Sequence, residues 1–595
     1  MKTNSEKIPN PKELEKELGE FLSKKFGGNV KVSTPIIVPQ ETFFNKAKGA
    51  PKKSKGLKFN LKPEELVSYL DQYIIKQDDA KTVLATKICT HFNRIKYFLN
   101  SSSQMPEMVG RIKNNVLMVG PTGVGKTYMI RLIAQKIGVP FVKGDATKFS
   151  ETGYVGNDVE DLVRDLVREA EGDIERAQYG IIYIDEIDKI ASSSNLIGAD
   201  ISRTGVQRAL LKPLEETEVD LKVPHDPISI MQELENFRKT GKRDKKTINT
   251  KNILFIMSGA FGDLSRIISE RVLHQGIGFG TQIIKSDQQD DVLKMLKSED
   301  LINFGFESEF VGRLPVRAIF ERLTEDDLYT ILKNPNNPII LGKKLDFGAY
   351  YIKAKFEDQA LKILSHRAFE ENTGARGLVS SIEHALLLFE KKLPSTSLKK
   401  FPITSDIIEN PFASLEWLID PANQNKIDKT FQTLFNDEKA AIIEYIYANK
   451  KNLNKKHGLS LTAGRIDLIA RFYSEKESDI ENIFKQVKIC YEDIKSIELN
   501  FLKEYGINVV LEEEAIDLVI EQYIKSSIQI DDFYIKFIAD FELGLKLVRE
   551  KTGRNRFFIT KQGLLSPDKF ISRLLTNNCN SPGQIKQDDM PKKEI

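Results

Sequence analysis

Short apolar runs alternate with stretches of helical periodicity from about residue 61 of the chain. A continuous apolar run of strand length is typical of a strand that is buried on both faces of a parallel sheet. Helical spacing of apolar residues follows these runs, as in residues 128–137 and 159–170. The alternation predicts an α/β fold, in which helices flank a parallel sheet with strands at residues 115–119, 139–142, 181–184 and 252–260.

The same patterns divide the chain into four parts. Six lysines and no acidic residues lie from Lys46 to Lys58. No aromatic residues interleave with these lysines, so a solvated linker is favoured over a nucleic-acid patch. We expect an N-terminal basic segment, a large α/β domain, a small α-rich domain and a mostly helical C-terminal extension with a disordered tail, at residues 1–60, 61–322, 323–421 and 422–595.

The extension contains segments that parallel the small domain. Residues 511–519 match the pattern of residues 356–364, and residues 557–560 match residues 401–404 at nearly the same offset. These matches predict a degenerate second copy of the small domain. The copy has no Gly-Ala-Arg-Gly sequence of the kind found in residues 374–377.

A glycine-rich segment after the first predicted strand fits the pattern G-x-x-x-x-G-K-[ST]. In this phosphate-binding loop, backbone N–H groups surround a polyphosphate, and the following helix adds the positive end of its dipole. The lysine is expected to reach the β- and γ-phosphates, and the threonine hydroxyl to ligate Mg²⁺. The loop consists of Gly120, Pro121, Thr122, Gly123, Val124, Gly125, Lys126 and Thr127.

Acidic residues end the apolar run at residues 181–184. Asp185 is expected to hold the Mg²⁺ ion, and Glu186 to polarise the water that attacks the γ-phosphate. Ser258 ends another predicted strand, where it is equally well interpreted as a γ-phosphate sensor or as a strand cap.

Two arginines occupy unusual positions. Arg313 follows a glycine and precedes Leu-Pro, which favours a side chain that projects outward, either in a surface ion pair or as an arginine finger for a neighbour's site. Arg376 stands near a predicted helix start, where the helix dipole disfavours a cation, so an anionic partner is expected.

Two further segments place apolar side chains among glycines. Tyr154, between Gly153 and Gly156, indicates either a surface turn or a mobile loop that presents an aromatic ring to a ligand. Ile277 and Phe279 alternate with glycines, which is typical of an exposed docking tip.

Composition excludes several classes of protein. The net charge is +3, with 41% hydrophobic and 29% charged residues, so a soluble globular chain is expected, without a membrane or nucleic-acid partner. The three cysteines form no C-x-x-C pair, which argues against zinc and disulfide frameworks. The first residues lack the apolar core of a signal peptide, and a cytoplasmic location is predicted.

Together, these motifs resemble the Clp/Hsp100 family of AAA+ ATPases, and most closely its ClpX-type unfoldase subunits. The resemblance runs from about residue 61 to 411 and depends on the order of its motifs. They are the phosphate-binding loop, Gly-Tyr-Val-Gly at 153–156, Ile-Asp-Glu-Ile-Asp-Lys at 184–189, Gly-Ile-Gly-Phe-Gly at 276–280, Glu-Phe-Val-Gly-Arg-Leu-Pro at 309–315 and Gly-Ala-Arg-Gly-Leu at 374–378.

The resemblance implies a role for each motif. Tyr154 and Val155 correspond to a pore loop that grips a translocating polypeptide. Arg313 corresponds to an arginine finger that acts on a neighbouring subunit, which implies a homohexamer, and Arg376 to a sensor of the nucleotide. The adenine-contacting pair is Ile74 and Ile75, and the tripeptide that docks a ClpP-type peptidase is Ile277, Gly278 and Phe279.

Several features depart from the ClpX pattern. Residues 1–60 contain no cysteine, so the usual N-terminal zinc domain is absent there. Lys76 replaces a glycine next to the adenine-contacting pair, which is expected to alter the fit of the nucleotide. A long insert at residues 219–250, with a basic run at residues 238–246, replaces a short pore-entrance motif. HslU-type rings are disfavoured because only about thirty residues separate Tyr154 from Asp185.

The implied function is that of an ATP-dependent protein unfoldase with ATP and Mg²⁺ as cofactors and no zinc. It would pull polypeptides through a hexameric pore, deliver them to a ClpP-type peptidase, and have no peptidase activity of its own. One alternative is a remodelling ATPase that works without a peptidase. A DNA-acting AAA+ motor is a second alternative, against which Tyr154 argues.

Overall fold

The computed structural model describes residues 59–100, 113–149, 158–191, 201–221, 247–275, 292–476, 478–526 and 530–576. The chain divides into a unit of Met1–Gly56, which lies outside the described residues, and a unit of Leu57–Ile595. Within the second unit we call residues 59–322 the large region, residues 323–421 the small region and residues 422–576 the extension.

The large region is built on a five-stranded parallel sheet with the strand order β2-β3-β6-β1-β7. The predicted α/β fold with a parallel sheet is confirmed. Its central strands are almost entirely buried because their sequences are apolar on both faces. The strands are β1 (Val116–Val119), β2 (Phe141–Asp145), β3 (Ile181–Asp185), β6 (Leu254–Gly259) and β7 (Val316–Ile319).

Helices cover both faces of this sheet. Side chains alternate across β1, so that Val116 and Met118 join one core and Leu117 and Val119 join the other. The described helices of the large region are α1 (Pro63–Leu70), α2 (Asp78–Asn100), α3 (Lys126–Ile137), α4 (Val159–Glu169), α5 (Ile174–Ala177), α6 (Ile201–Leu214), α7 (Leu264–Gln275), α8 (Ser298–Phe304) and α9 (Ser308–Gly312).

The small region is mostly helical and contains one pair of parallel strands, β8 (Lys353–Phe356) and β9 (Lys400–Ile403). Its buried side chains continue the core on one face of the large sheet. The boundary at residue 322 therefore stays a prediction. The helices are α10 (Glu325–Lys333), α11 (Pro338–Gly348), α12 (Asp358–Glu370), α13 (Ala375–Lys392), α14 (Ser405–Glu409) and α15 (Pro411–Ile419).

The extension has its own core and a second pair of parallel strands, β10 (Asn508–Leu511) and β11 (Arg556–Ile559). Its helical character is confirmed. The helices are α16 (Gln424–Ala448), α17 (Lys450–His457), α18 (Ala463–Glu475), α19 (Ile480–Tyr505), α20 (Glu513–Ser526), α21 (Ile530–Thr552), α22 (Lys561–Leu565) and α23 (Pro567–Thr576).

The end of the extension repeats the topology of the small region. In both, two helices connect the parallel strands and two short helices follow the second strand, in the order β-α-α-β-α-α. The backbone details also recur: Glu357 N donates to Ile403 O at 2.9 Å, and Glu512 N donates to Ile559 O at 3.0 Å. These correspondences support the predicted second copy.

Other predictions meet the described residues only in part. The insert at residues 219–250 begins and ends in a short antiparallel pair, β4 (Glu218–Asp220) and β5 (Thr247–Asn249), but its basic run lies outside the described residues. Cys89 and Cys490 are buried and form no disulfide. In the described part of the chain, no helix has the length and apolar character needed to cross a membrane.

Helix α16 joins the small region to the extension. Ile427 packs in the core of the small region, whereas Ile442 belongs to the core of the extension. Between them, Glu438 accepts hydrogen bonds from Lys344 of α11 and Lys355 of β8. Burial raises the pKa of Glu438, but the two lysine charges outweigh it and hold that pKa below its usual value.

Replacing Glu438 with glutamine is expected to destabilise this junction. Lys344 and Lys355, whose side chains are 7% and 6% exposed, would lose their shared counter-charge. Leaving a buried ion pair without one partner typically costs about 3–5 kcal/mol, so the thermal denaturation midpoint should fall clearly. Asp437→Asn, which alters an exposed carboxylate on the same helix, is the control. Equal midpoints for the two variants would contradict this role.

Candidate nucleotide-binding site

A cavity of about 420 Å³ lies at the carboxyl edge of the sheet, between the large and small regions. This volume falls within the range of small-molecule sites, which is roughly 300–1,000 Å³. Both regions contribute to its walls, so a ligand here would contact both. The lining consists of Tyr73, Ile74, Ile75, residues 122–128, Asp185, Glu186, Asp188, Lys189, Gly259, Ala260, Leu323, Ile331, Asn337, Pro338, Ile339, Ala375, Arg376 and Val379.

The phosphate-binding loop touches the small region through its backbone. Ala375 N, at the start of α13, donates to Gly123 O at 2.8 Å. A Cβ atom at position 123 would lie 2.0 Å from Thr373 O, and the φ of Gly123 is +74°. Glycine alone meets both conditions without displacement of a neighbour. The loop is therefore part of the contact that holds the small region in place.

Lys126 is buried at the start of α3, beneath the loop. Its Nζ donates to Gly120 O at 2.5 Å and to Pro121 O at 2.7 Å, so these two residues support the lysine and do not line the cavity. Burial lowers the pKa of Lys126 to about 8, although Asp185 and Asp188 act to raise it. A polyphosphate would add negative charge beside the amine and favour its protonated form.

Asp185 ends β3 in a network of hydroxyl groups and one cation. Ser258 Oγ donates to Asp185 Oδ1 at 2.6 Å, and Lys143 Nζ lies 2.9 Å from Oδ2. Burial raises the pKa of Asp185, but the hydrogen bonds from Ser258 and Lys143 outweigh it and keep that pKa below its usual value. Ser258 therefore holds the carboxylate, and it does not line the cavity.

The residues present fit a magnesium ion. Thr127 Oγ1 lies 3.4 Å from Asp185 Oδ2, so a hydroxyl and a carboxylate oxygen meet beside the phosphate-binding loop. Oxygen ligands of these two kinds, completed by phosphate and water, are what Mg²⁺ selects in nucleotide sites. Among the described residues, no group of three or more His, Cys, Asp or Glu side chains could hold another metal.

Glu186 follows Asp185 in a strained backbone conformation. Its φ is +57° and ψ is +33°, in the left-handed region that costs a non-glycine residue about 1–2 kcal/mol. The side chain is exposed and lines the cavity. Such strain is common where a functional side chain must be directed at a ligand, and here it presents a carboxylate to the cavity beside Asp185 and Thr127.

The predicted adenine-contacting pair lies at the wall formed by residues 73–75. Ile74 is buried, and both Ile74 and Ile75 line the cavity. Lys76 adopts a φ of +60°, which explains why glycine suits this position. Its Nζ donates to Arg322 O at 2.7 Å, and it is not among the lining residues. Lys76 is therefore expected to alter the fit of the nucleotide indirectly, through its contact with Arg322 where the large region joins the small region.

The two predicted arginines lie at opposite edges of the large sheet. Arg376, the second residue of α13, lines the cavity with Lys126. Arg313 pairs with Glu215, and its carbonyl oxygen accepts a hydrogen bond from Asn115 Nδ2 at 3.2 Å. Asn115 precedes β1, whereas the phosphate-binding loop follows β1. Arg313 therefore lies near the amino edge of the sheet, away from its own chain's cavity.

Five predicted site residues lie outside the described residues. They are the pore-loop pair Tyr154 and Val155 and the docking tripeptide Ile277, Gly278 and Phe279. Their roles stay predictions.

Sequence reasoning missed three polar side chains beside the predicted magnesium ligands, Thr127 and Asp185. Tyr183 OH lies 3.0 Å from Thr127 Oγ1 and 2.5 Å from Ser258 Oγ. A tyrosine inside a buried apolar strand was a usable signal, because its hydroxyl needs a partner. Lys143 offered no such signal, because β2 and β3 are brought together only by strand pairing. Asp188 follows Asp185 by three residues within the motif at residues 184–189, but the sequence reasoning gave it no role.

The sequence matches known proteins in the region that builds this site. A family model described as an AAA domain of the Cdc48 subfamily matches residues 111–317. Similar curated proteins include "ATP-dependent Clp protease ATP-binding subunit ClpX" from Borrelia duttonii and from Borrelia recurrentis, each 41% identical over 351 residues. These matches cover 58% of this chain and 78% of each relative. The protein of the same name from Treponema denticola is 38% identical over 342 residues, which cover 57% of this chain and 79% of the relative.

With the parallel sheet and the nucleotide cavity, these matches define the class of the chain, which is an AAA+ ATPase. Members of this class hydrolyse ATP and use Mg²⁺. Within the class, the chain belongs to the Clp/Hsp100 family, and its similarity is to the ClpX ATP-binding subunits.

Replacing Gly123 with alanine is expected to weaken nucleotide binding by tenfold or more, roughly 1.4 kcal/mol. The new methyl group would collide with Thr373 O and push the small region away from the loop. Titration with a fluorescent ATP analogue measures the change.

Gly138→Ala is the matched control for this variant. Gly138 has a φ of +79°, close to that of Gly123, but no heavy atom lies within 4 Å of the position that a Cβ atom would occupy there. It therefore reproduces the backbone strain without the collision. Equal affinities of the two variants would show that contact with the small region is irrelevant to nucleotide binding.

Proposed function

We propose that this AAA+ ATPase is a protein unfoldase that acts as a ring of six copies and delivers polypeptides to a ClpP-type peptidase. In this proposal, Lys126 and Arg376 bind the phosphates, Thr127 and Asp185 bind Mg²⁺, and Glu186 activates water. Tyr154 and Val155 grip the polypeptide. Ile277, Gly278 and Phe279 dock the peptidase.

The division of the cavity between two regions is the observation that carries the proposal. The phosphate-binding loop and the acidic residues belong to the large region, whereas Arg376 belongs to the small region. A nucleotide that contacts both would favour one relative orientation, and its hydrolysis would release that preference. Such coupling of chemistry to movement is what a motor that pulls on polypeptides requires.

The position of Arg313 supports the ring. Its side chain is 46% exposed at the edge of the sheet opposite to the cavity, where it can reach another copy but not its own nucleotide. The printed name of the relatives supports the partner, since it describes ATP-binding subunits of an ATP-dependent Clp protease. That peptidase is proposed for this chain from their similarity alone.

Subunit mixing tests the shared site. We expect Glu186→Gln and Arg313→Ala each to abolish ATP hydrolysis while nucleotide binding persists. The first variant lacks the carboxylate that activates water, and the second lacks the cation that each copy supplies to its neighbour's site. Mixed in equal amounts, the two variants should regain activity, since about a quarter of the interfaces would combine an intact Glu186 with an intact Arg313. No recovery in mixed rings of verified composition would contradict action between subunits.

Degradation of an unfolded reporter protein tests the function itself. The full-length chain with a ClpP-type peptidase is expected to degrade the reporter only when ATP is present. Phe279→Ala should abolish degradation while leaving ATP hydrolysis unchanged. Tyr154→Ala should abolish translocation of the reporter both with and without the peptidase. Unfolding of the reporter without any effect of the peptidase would favour the remodelling ATPase instead.

A further inference from the structure

The loops that line the cavity on the side of the adenine-contacting pair are joined at one backbone oxygen. Asn334 Nδ2 and Asn336 Nδ2 donate to Gln72 O at 3.0 and 3.1 Å. Residues 73–75 follow Gln72 in the large region, and residues 337–339 follow Asn336 in the small region; both sets line the cavity. This junction therefore sets the distance between two walls of the nucleotide site.

The extension contacts this junction through two residues that do not line the cavity. At the end of α16, Tyr445 OH accepts a hydrogen bond from Asn336 Nδ2 at 2.9 Å. In α17, Lys456 Nζ donates to Gln72 Oε1 at 3.0 Å. One contact goes to the small-region loop and the other to the large-region loop, so the extension spans both.

Lys456 is itself held by the core of the extension. Its Nζ donates to Glu481 Oε2 at 2.7 Å, and His457, which is 4% exposed, stacks on Phe484 with 4.7 Å between ring centroids. Burial raises the pKa of Glu481, but His457 and Lys456 outweigh it and lower that pKa to about 2. The carboxylate thus stays ionised at neutral pH and keeps the lysine in place.

Aromatic side chains extend this contact to the cavity wall. Lys456 Nζ lies 5.6 Å from the centre of the Tyr69 ring, and the Tyr69 ring lies 5.1 Å from the Tyr73 ring. Tyr73 is a lining residue of the cavity. A continuous set of contacts therefore connects α17 of the extension with the site.

We propose that Tyr445 and Lys456 are positioning residues for the nucleotide: they hold the loops at residues 72–75 and 336–339 at the spacing that the nucleotide requires. Neither residue reaches the phosphates, so neither takes part in hydrolysis. A preorganised site binds its ligand more tightly, because the loops that form it lose less conformational freedom on binding. The extension thereby controls affinity for the nucleotide and leaves the chemistry to the large region.

Nucleotide binding and steady-state ATP hydrolysis by full-length Tyr445→Phe and Lys456→Met variants test this proposal. The Kd for a fluorescent ADP and the KM for ATP are expected to rise about two- to tenfold, as for the loss of one hydrogen bond, with kcat unchanged. Lys456→Arg, which keeps the charge and the donors, should restore much of the affinity.

Two matched controls separate positioning from general stability. Tyr447→Phe alters a half-exposed tyrosine on the same helix, and Lys451→Met alters an exposed lysine on α17; both should bind nucleotide like the unchanged protein. Thermal denaturation identifies any variant that has lost its fold, and Tyr445→Phe keeps its ring in place. A Kd and KM equal to those of the controls, or a fall in kcat at constant KM, would overturn the proposal. None of these measurements depends on a peptidase or a polypeptide substrate.

Discussion

The nucleotide site depends on the close approach of two backbones, one from each side of the cavity. Ala375 N reaches Gly123 O at 2.8 Å because no Cβ atom at position 123 keeps the chains apart. The same approach brings the start of α13, and with it Arg376, to the cavity beside Lys126. The loop that fits the phosphate-binding pattern in the large region thus also serves as a contact surface for the small region. Any ligand that changes the loop acts on the small region directly.

The sheet separates the residues of the site from the arginine that is proposed to complete it. Asp185 and the phosphate-binding loop lie at the carboxyl ends of β3 and β1, where polar groups converge in open parallel sheets. Arg313 lies near the amino end of β1, and a strand of four residues keeps the two apart. One chain cannot bring both to the same nucleotide without unfolding its core. This geometry supports an assembly in which each site is finished by a neighbouring copy.

The end of the extension has the same order of strands and helices as the small region. Both have parallel strands linked by two helices, but α21 begins with Ile-Asp-Asp where α13 begins with Ala-Arg-Gly. The start of α21 therefore lacks the arginine that lines the cavity in α13. The extension is connected to the small region through the shared helix α16 and the partly buried Glu438. Its contacts with Gln72 and Asn336 are consistent with a structural part that supports the nucleotide walls.

The sequence by itself determined the features whose parts are close together in the chain. The phosphate-binding loop, the Asp185–Glu186 pair and the buried strands are local patterns, and the backbone of a few residues suffices to specify them. Tertiary structure alone decided that Lys143 and Ser258 surround Asp185, because strand order brings them together. It also decided that Arg376 and Lys126 line the same cavity and that Tyr445 contacts Asn336. The physical reason is that such contacts join residues far apart in the chain, and their partners are selected by packing of whole elements, which no local pattern records.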